Sequence, residues 1–319
     1  MKDNQDYRLM SFTAADAFPA KVLQLPTGDR IRPVHIQLNP TNRCNLKCSF
    51  CSCSEREKTD EMPLAEIAEL LTTFAAFGSR SVTITGGGEP LMHPHINEII
   101  EHAKVSGIQV GIVSNGLLMD RLDHQWPLWV RVSASDDRAI DQTYFDTISR
   151  AVDHMPSTDW AFSYVLTARP DYVKLAAVMA FAADQTFTHV RLVSDLLDLE
   201  NVPDIEQARQ ALTGLPGESL VIYQGRKEYT GGRRQCLISL LKPGIAADGL
   251  VYPCCGAQYA LEPPPRDYRA MSMGHWRDFA KHLSTQQPFN GSACVRCYYD
   301  NYNTVLAARL APLQHEAFV

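Results

Sequence analysis

Between residues 33 and 193 of this 319-residue chain, six β-rich runs alternate with helical segments. Runs at 33–39 (PVHIQLN), 81–85 (SVTIT), 109–114 (QVGIVS), 129–133 (WVRVS), 160–167 and 189–193 read as strands. Apolar residues at helical spacing fall at 64–77, 96–105, 140–154 and 171–184, with a shorter helix predicted at 117–122. Strands separated by helices of this length imply βαβ units, hence an α/β fold with a parallel sheet. Six units build either an incomplete barrel or an open sheet, and periodicity does not choose between them.

The pattern changes after about residue 200. The tract to about 235 is rich in Pro, Gly and Gln, with a candidate strand at 219–223. Asp248-Gly249 followed by LVYP resembles a hairpin turn entering a strand. Residues 263–265 (Pro-Pro-Pro) form a loop, 275–283 a helix and 301–310 a terminal helix. The domain boundary is expected between 195 and 230. The division is a lead-in at 1–32, a core at 33–215 and a smaller cysteine-rich α+β domain at 216–319.

Nine cysteines are the unusual feature of the composition. The N-terminus lacks a basic stretch followed by an apolar one, so no secretory signal is expected and a cytoplasmic location follows. Cytosolic thiols stay reduced, and an odd count argues against a disulfide framework. The cysteines also cluster, four between 44 and 53 and five between 236 and 297, beside polar residues. Metal or cluster ligation explains this better than scattered core thiols. No apolar stretch is long enough for a transmembrane helix, so no membrane partner is expected. The formal net charge of −6 disfavours a large nucleic acid as partner but not a free nucleotide.

Cys44, Cys48 and Cys51 follow the first predicted strand in a CxxxCxxC run. Three thiolates on one short loop can ligate three irons of a [4Fe–4S] cluster and leave the fourth iron open to a small molecule. By themselves they also suit zinc or an electron-transfer module. Phe50, just before the last cysteine, would shield the cluster from water. Cys53 lies two residues past the run and reads as an inert buried thiol. At the end of the second strand stands Gly86-Gly87-Gly88-Glu89-Pro90, where glycines let backbone approach a ligand closely.

Together, in this order on consecutive strand ends, these segments resemble the radical S-adenosylmethionine (SAM) superfamily. The resemblance implies a partial (β/α)6 TIM-like barrel, with 33–215 as the radical SAM core. It implies that a reduced cluster on Cys44, Cys48 and Cys51 cleaves SAM to methionine and a 5′-deoxyadenosyl radical, which removes a hydrogen atom from an unactivated C–H bond. Gly87, Gly88 and Glu89 would meet the methionine amino group. Asn115 after the third strand, and Ser133 and Ser135 after the fourth, would contact the methionine and ribose. An electron donor such as flavodoxin or ferredoxin is the implied protein partner.

In the C-terminal region, Cys294-x2-Cys297 can chelate from one turn, and Cys236 and Cys254 can complete a tetrathiolate shell. These ligands suit zinc or iron–sulfur. The arrangement is similar to the Twitch domain, a shortened SPASM domain, which implies one auxiliary [4Fe–4S] cluster and two clusters in all. Cys254 is preferred to Cys255 as ligand because Gly249 precedes it by a Gly-x4-Cys step on the hairpin. Arg169, His189, Arg191, Arg233 and Arg234 are candidate substrate contacts.

The leading expectation is an enzyme that abstracts hydrogen from a small molecule or peptide, with the auxiliary cluster serving substrate oxidation or binding. Peptide modifiers often carry a leader-binding domain, and the short lead-in is not expected to hold one. The alternatives are an enzyme acting on a nucleoside or nucleotide, and a non-catalytic iron–sulfur electron-transfer protein. The GGGEP segment argues against the last, since a carrier needs no SAM pocket.

Overall fold

The computed structural model describes residues 30–123, 127–201, 203–224, 230–261, 268–297 and 299–310. The lead-in up to residue 29, the loop at 263–265 and Tyr298 lie outside them.

The strands are β1 His35–Leu38, β2 Ser81–Ile84, β3 Gln109–Ser114, β4 Pro127–Ser135, β5 Asp159–Leu166, β6 His189–Ser194, β7 Val221–Gln224, β8 Gly244–Ile245 and β9 Val251–Tyr252. The helices are α1 Leu64–Phe77, α2 Ile96–Val105, α3 Gln142–His154, α4 Tyr172–Asp184, α5 Ile205–Leu212, α6 Ile238–Leu241, α7 Phe279–Thr285 and α8 Asp300–Leu310. One sheet runs in the order β7-β6-β5-β4-β3-β2-β1-β8-β9. Every pairing is parallel except that of β8 with β9. The sheet does not close on itself, so the fold is a partial barrel.

Alternation along each strand explains the two faces. Ile112, Val130, Val132, Phe162, Tyr164, Val190 and Leu192 point outward and are buried under the helices. The other parity, including Val113, Ser133, Ser163, Val165, Arg191 and Val193, lines the interior. Ile67, Leu70, Leu71 and Phe74 recur on one stripe of α1 and are fully buried in the outer layer. Asp141 and Asp171 cap α3 and α4 by accepting from Tyr144 N and Lys174 N. That cap sets the start of α3 at Gln142, two residues later than the periodicity predicts.

Two other segments differ from expectation. Residues 117–122 hold only a 3₁₀ turn, Met119–Arg121, because so short a segment cannot offset the cost of nucleating an α-helix. The C-terminal region contributes directly to the core sheet. After β7 at one edge, the chain crosses to the other, where β8 pairs in parallel with β1 through Gln37↔Gly244 and Leu38↔Ile245. Gly249, at φ +78°, makes the turn of the β8–β9 hairpin. Among the described residues no helix is long and apolar enough to cross a membrane.

Candidate functional site

Parallel strands place all their C-terminal ends along one rim, where open α/β sheets and barrels build their sites. The loop of Cys44, Cys48 and Cys51 leaves β1 there, and Gly86–Gly88 and Glu89 leave β2. Asn115 leaves β3, and Ser135 ends β4. Backbone bonds tie the first two loops together: Gly88 N donates to Thr41 O at 2.9 Å and Glu89 N to Arg43 O at 2.8 Å. Only glycine fits this approach. A Cβ on Gly87 would lie 1.8 Å from Asn42 Oδ1, and one on Gly88 1.9 Å from the Arg43 carbonyl oxygen.

A cavity of about 500 Å³ opens between these loops, lined by all three cysteines, Phe50, Gly86–Glu89, Asn115 and Ser133. The donor chemistry fits an iron–sulfur cluster with one open iron, and the glycine cradle leaves room for a ligand beside it. Burial pushes the Cys44 and Cys51 thiols up, and each also feels Cys48 as a like charge. Cationic irons reverse that penalty and stabilise the thiolates. No three His, Cys, Asp or Glu side chains among the described residues close on a single ion. A cubane, whose irons each take one thiolate, does not require that.

Glu89 is 3% exposed, and its carboxylate is largely committed to the fold. Oε1 accepts from Ser114 Oγ at 2.7 Å and Leu91 N at 3.1 Å, and Oε2 from Asn115 N at 2.7 Å. Its other capacity is one remaining site on Oε2. Burial raises its carboxyl above the ordinary value, against those three hydrogen bonds. Asn115 in turn binds the cluster loop, donating from Nδ2 to Asn45 Oδ1 at 2.7 Å. Ser133 lines the cavity. Ser135 does not: it is fully buried and donates to Asp137 Oδ1 at 2.6 Å, while Asp137 Oδ2 accepts from Ser49 in the cluster loop. Cys53 is buried and donates to Gln258 Oε1 at 3.1 Å.

Arg138, in the turn after β4, is a site residue that the sequence reading missed. Its Nη2 donates to Cys48 Sγ at 3.3 Å, its guanidinium lies 5.4 Å from the Phe50 ring centroid, and Nη1 donates to Ser133 O. The only signal was the polar run Ser135-Asp136-Asp137-Arg138 at a strand end.

A second cavity, about 340 Å³, lies deeper in the partial barrel. Phe50, Val113, Ser133 and Tyr259 line both cavities. Arg191 faces the second one, placed by a bond from Nη2 to Ser163 Oγ at 3.1 Å. The C-terminal region supplies its roof, including Lys242, Cys255, Tyr259, Tyr299 and Tyr302. The other candidate contacts lie elsewhere. Arg169 and Arg234 are exposed. His189, at the start of β6, is buried and lowered to about 3 by burial and by Arg131 and Arg191. Arg233 pairs with Asp300.

Cys236, Cys254, Cys294 and Cys297 line a small common pocket beside that roof, and Cys255 does not. Backbone bonds hold the four together. Cys236 N donates to Phe289 O at 3.0 Å, Gly232 N to Cys294 O at 2.7 Å and Cys297 N to Thr230 O at 2.8 Å. Burial raises Cys236 to about 12 and Cys294 to about 11, and Cys254 goes well up, with neighbouring thiols adding to each. Four cysteines in one pocket, whose thiolates would repel one another unless a cation joined them, fit a metal centre. Cys255 instead faces the interior cavity, its Sγ 3.1 Å from Tyr299 Oη.

The rim brings the cysteine loop and the glycine cradle of this α/β fold to one cavity. Residues 38–134 match the Radical SAM superfamily model, and this chain carries a radical SAM domain there, with SAM and one [4Fe–4S] cluster as that domain's cofactors. It is similar to a protein named GTP 3′,8-cyclase from Chlorobaculum tepidum, 37% identical over 90 residues, 27% of each chain. It is similar to a GTP 3′,8-cyclase from Staphylococcus aureus, 30% identical over 161 residues, 44% of this chain and 46% of the relative. The matches thus span less than half the length of these curated relatives. Among solved structures, Streptococcus suis SuiB bound to precursor peptide SuiA superposes with a TM-score of 0.55 at 15% identity. That superposition covers 78% of this chain and 65% of SuiB, and it shows the shared fold.

Proposed function

We propose that this chain is a radical SAM enzyme acting on a small molecule held in the interior cavity. Cys44, Cys48 and Cys51 hold the SAM-cleaving cluster, and Cys236, Cys254, Cys294 and Cys297 hold an auxiliary [4Fe–4S] cluster. The observation that carries this reading is the shared wall of Phe50, Val113, Ser133 and Tyr259, which joins the cysteine-lined cavity to a second cavity roofed by the C-terminal cysteine region. When bound, the reduced cluster supplies one electron to SAM, and the carbon radical so released removes a hydrogen atom from substrate.

The chain's own residues do the positioning. The carbonyls of the glycine run and the remaining site on Glu89 Oε2 accept from the methionine amino group. Arg138, Lys47 and Lys58 bring positive charge to the same cavity and balance the methionine carboxylate. Asn115 and Ser133 stand at the rim for the rest of SAM, while Ser135 positions the cluster loop through Asp137. Phe50 and the tyrosine roof exclude water from the carbon radical. Cys236, Cys254, Cys294 and Cys297, beside the roof, would hold the auxiliary cluster, which would accept an electron from the substrate or orient it. A flavodoxin or ferredoxin supplies the starting electron.

A second reading, a nucleotide substrate, is favoured by the likeness to relatives named GTP 3′,8-cyclase. Both readings are tested by incubating the reconstituted protein with SAM, dithionite and deuterated substrate candidates. Deuterium moving into 5′-deoxyadenosine from a non-nucleotide identifies the first reading, and from a nucleotide the second. Anaerobic reconstitution should give about eight irons per chain, and about four when Cys44, Cys48 and Cys51 are alanine. A wild type with about four irons and one zinc overturns the auxiliary cluster.

A further inference from the structure

The four-cysteine pocket contains a buried amide whose donor group is unmatched. Asn303 lies on α8 and is 1% exposed. Its Oδ1 accepts from Ile238 N at 3.0 Å, which satisfies the first backbone N–H of α6, two residues after Cys236. Only the amide oxygen can accept, so this bond fixes which way the side chain faces. Its Nδ2 carries two N–H groups and, among the described residues, has no partner at hydrogen-bond distance and angle. Asn303 lines the pocket together with Cys236, Cys254, Cys294 and Cys297. It stands close enough to Cys236 to work against the upward push of burial on that thiol. Among the described residues no Asp or Glu lines the pocket, and sulfur is the acceptor type concentrated there. Leaving a buried N–H unmet is costly. A neutral thiol is a weak acceptor, whereas a thiolate bound to iron carries negative charge and takes a stronger, charge-assisted bond.

We propose that Asn303 Nδ2 donates a hydrogen bond to the Cys236 sulfur of the auxiliary cluster and raises the reduction potential of that cluster. This rests on the reading of the four cysteines as the auxiliary-cluster site. Hydrogen bonds to the sulfurs of a cluster stabilise its reduced, more negative state. One side chain of α8 then has two jobs: its oxygen pins the turn after Cys236, and its nitrogen tunes the metal centre. Tyr299, whose carbonyl accepts from Asn303 N at 2.9 Å, lines both the four-cysteine pocket and the interior cavity. The centre that Asn303 tunes therefore stands behind a wall of the interior cavity, and a raised potential there favours electron uptake from a substrate radical. Asn303 touches no substrate and is a positioning residue, acting through the Cys236 sulfur.

The test is a redox titration, followed by electron paramagnetic resonance, of the anaerobically reconstituted full-length protein with both clusters. The variant with alanine at 44, 48 and 51 identifies the auxiliary signal. Asn303→Leu keeps the size of the side chain and removes the donor. It should disfavour the reduced auxiliary cluster about tenfold, a downward shift of about 59 mV for one electron. The potential of the Cys44, Cys48 and Cys51 cluster should stay in place. Asn301→Leu, at an exposed position two residues away, should move neither potential. Wild type labelled with the heavy nitrogen isotope in its asparagine side-chain amides should show a nitrogen coupling to the reduced auxiliary cluster in pulsed resonance spectra. Asn303→Leu should lack that coupling. The proposal is overturned if Asn303→Leu leaves the auxiliary potential unchanged, if both clusters shift equally, or if labelled wild type shows no coupling. Should Asn303→Leu lose its auxiliary iron, the labelled wild type decides alone. About eight irons per chain with an unchanged auxiliary potential sinks this inference alone. About four irons and one zinc sinks it together with the auxiliary-cluster reading.

Discussion

The Arg138 guanidinium donates to the Cys48 sulfur at 3.3 Å while lying over the Phe50 ring, so a cation from the end of β4 sits against the cysteine loop from β1. A positive charge there stabilises the more negative, reduced state of a bound cluster. Arg138→Gln should shift the reduction potential of the Cys44, Cys48 and Cys51 cluster downward, on the order of tens of millivolts. Arg138→Lys should recover part of the shift. Redox titration followed by electron paramagnetic resonance measures it, and an unchanged potential contradicts the assignment.

The glycine cradle gives a steric prediction. Gly88→Ala puts a methyl 1.9 Å from a backbone oxygen, Arg43 O, so the cluster loop must move. Overpacking of this kind costs about 1–3 kcal/mol. The cost should appear as a lower melting temperature and poorer iron retention. Gly231→Ala, whose added Cβ would lie 3.7 Å from Cys294 O, should leave both nearly unchanged. Equal effects of the two substitutions would show that the close approach is not what the glycine serves.

Glu89 predicts a pH dependence. Its folded-state carboxyl is raised by burial, so the folded protein binds its proton more tightly than the unfolded chain does. Stability from this group is therefore highest below the ordinary carboxylate value. It declines as pH rises from there through the raised value. The stability difference between wild type and Glu89→Gln should shrink with rising pH across that window, as read by denaturant titration at several pH values. A difference that grows with pH would reverse the sign of the shift. Glu89→Ala strands the Ser114 hydroxyl and the Asn115 and Leu91 amides, and should cost about 1–3 kcal/mol for each buried group left unmet.

The two adjacent C-terminal cysteines separate cleanly. Cys254→Ala should remove the auxiliary cluster and take the iron content from about eight to about four. Cys255→Ala should keep about eight, because its thiol faces the interior cavity and Tyr299 instead. Iron analysis that gives the reverse pattern would exchange their roles.

Much of this was legible in the sequence because it is local. The βα alternation marks β1 to β6, and the CxxxCxxC run and GGGEP segment point to the rim residues that come together in one cavity. β7 did not escape: the candidate strand at 219–223 forms at Val221–Gln224 and pairs with β6. What escaped is set by distant partners. The two residues of β8 join β1 across more than 200 positions, which no periodicity records. Ser135 looked like a ligand contact, but Asp137, two residues on, takes its hydroxyl. Lys242 has no motif around it, and only the crossing of the chain over the barrel brings it into the same cavity wall as Arg191.

The most direct test of the account is reductive cleavage of SAM. Reconstituted protein, dithionite and SAM should yield 5′-deoxyadenosine and methionine. The variant with alanine at 44, 48 and 51 should yield neither. Absence of 5′-deoxyadenosine from a wild type that carries its full iron, with substrate candidates present, would contradict the central claim.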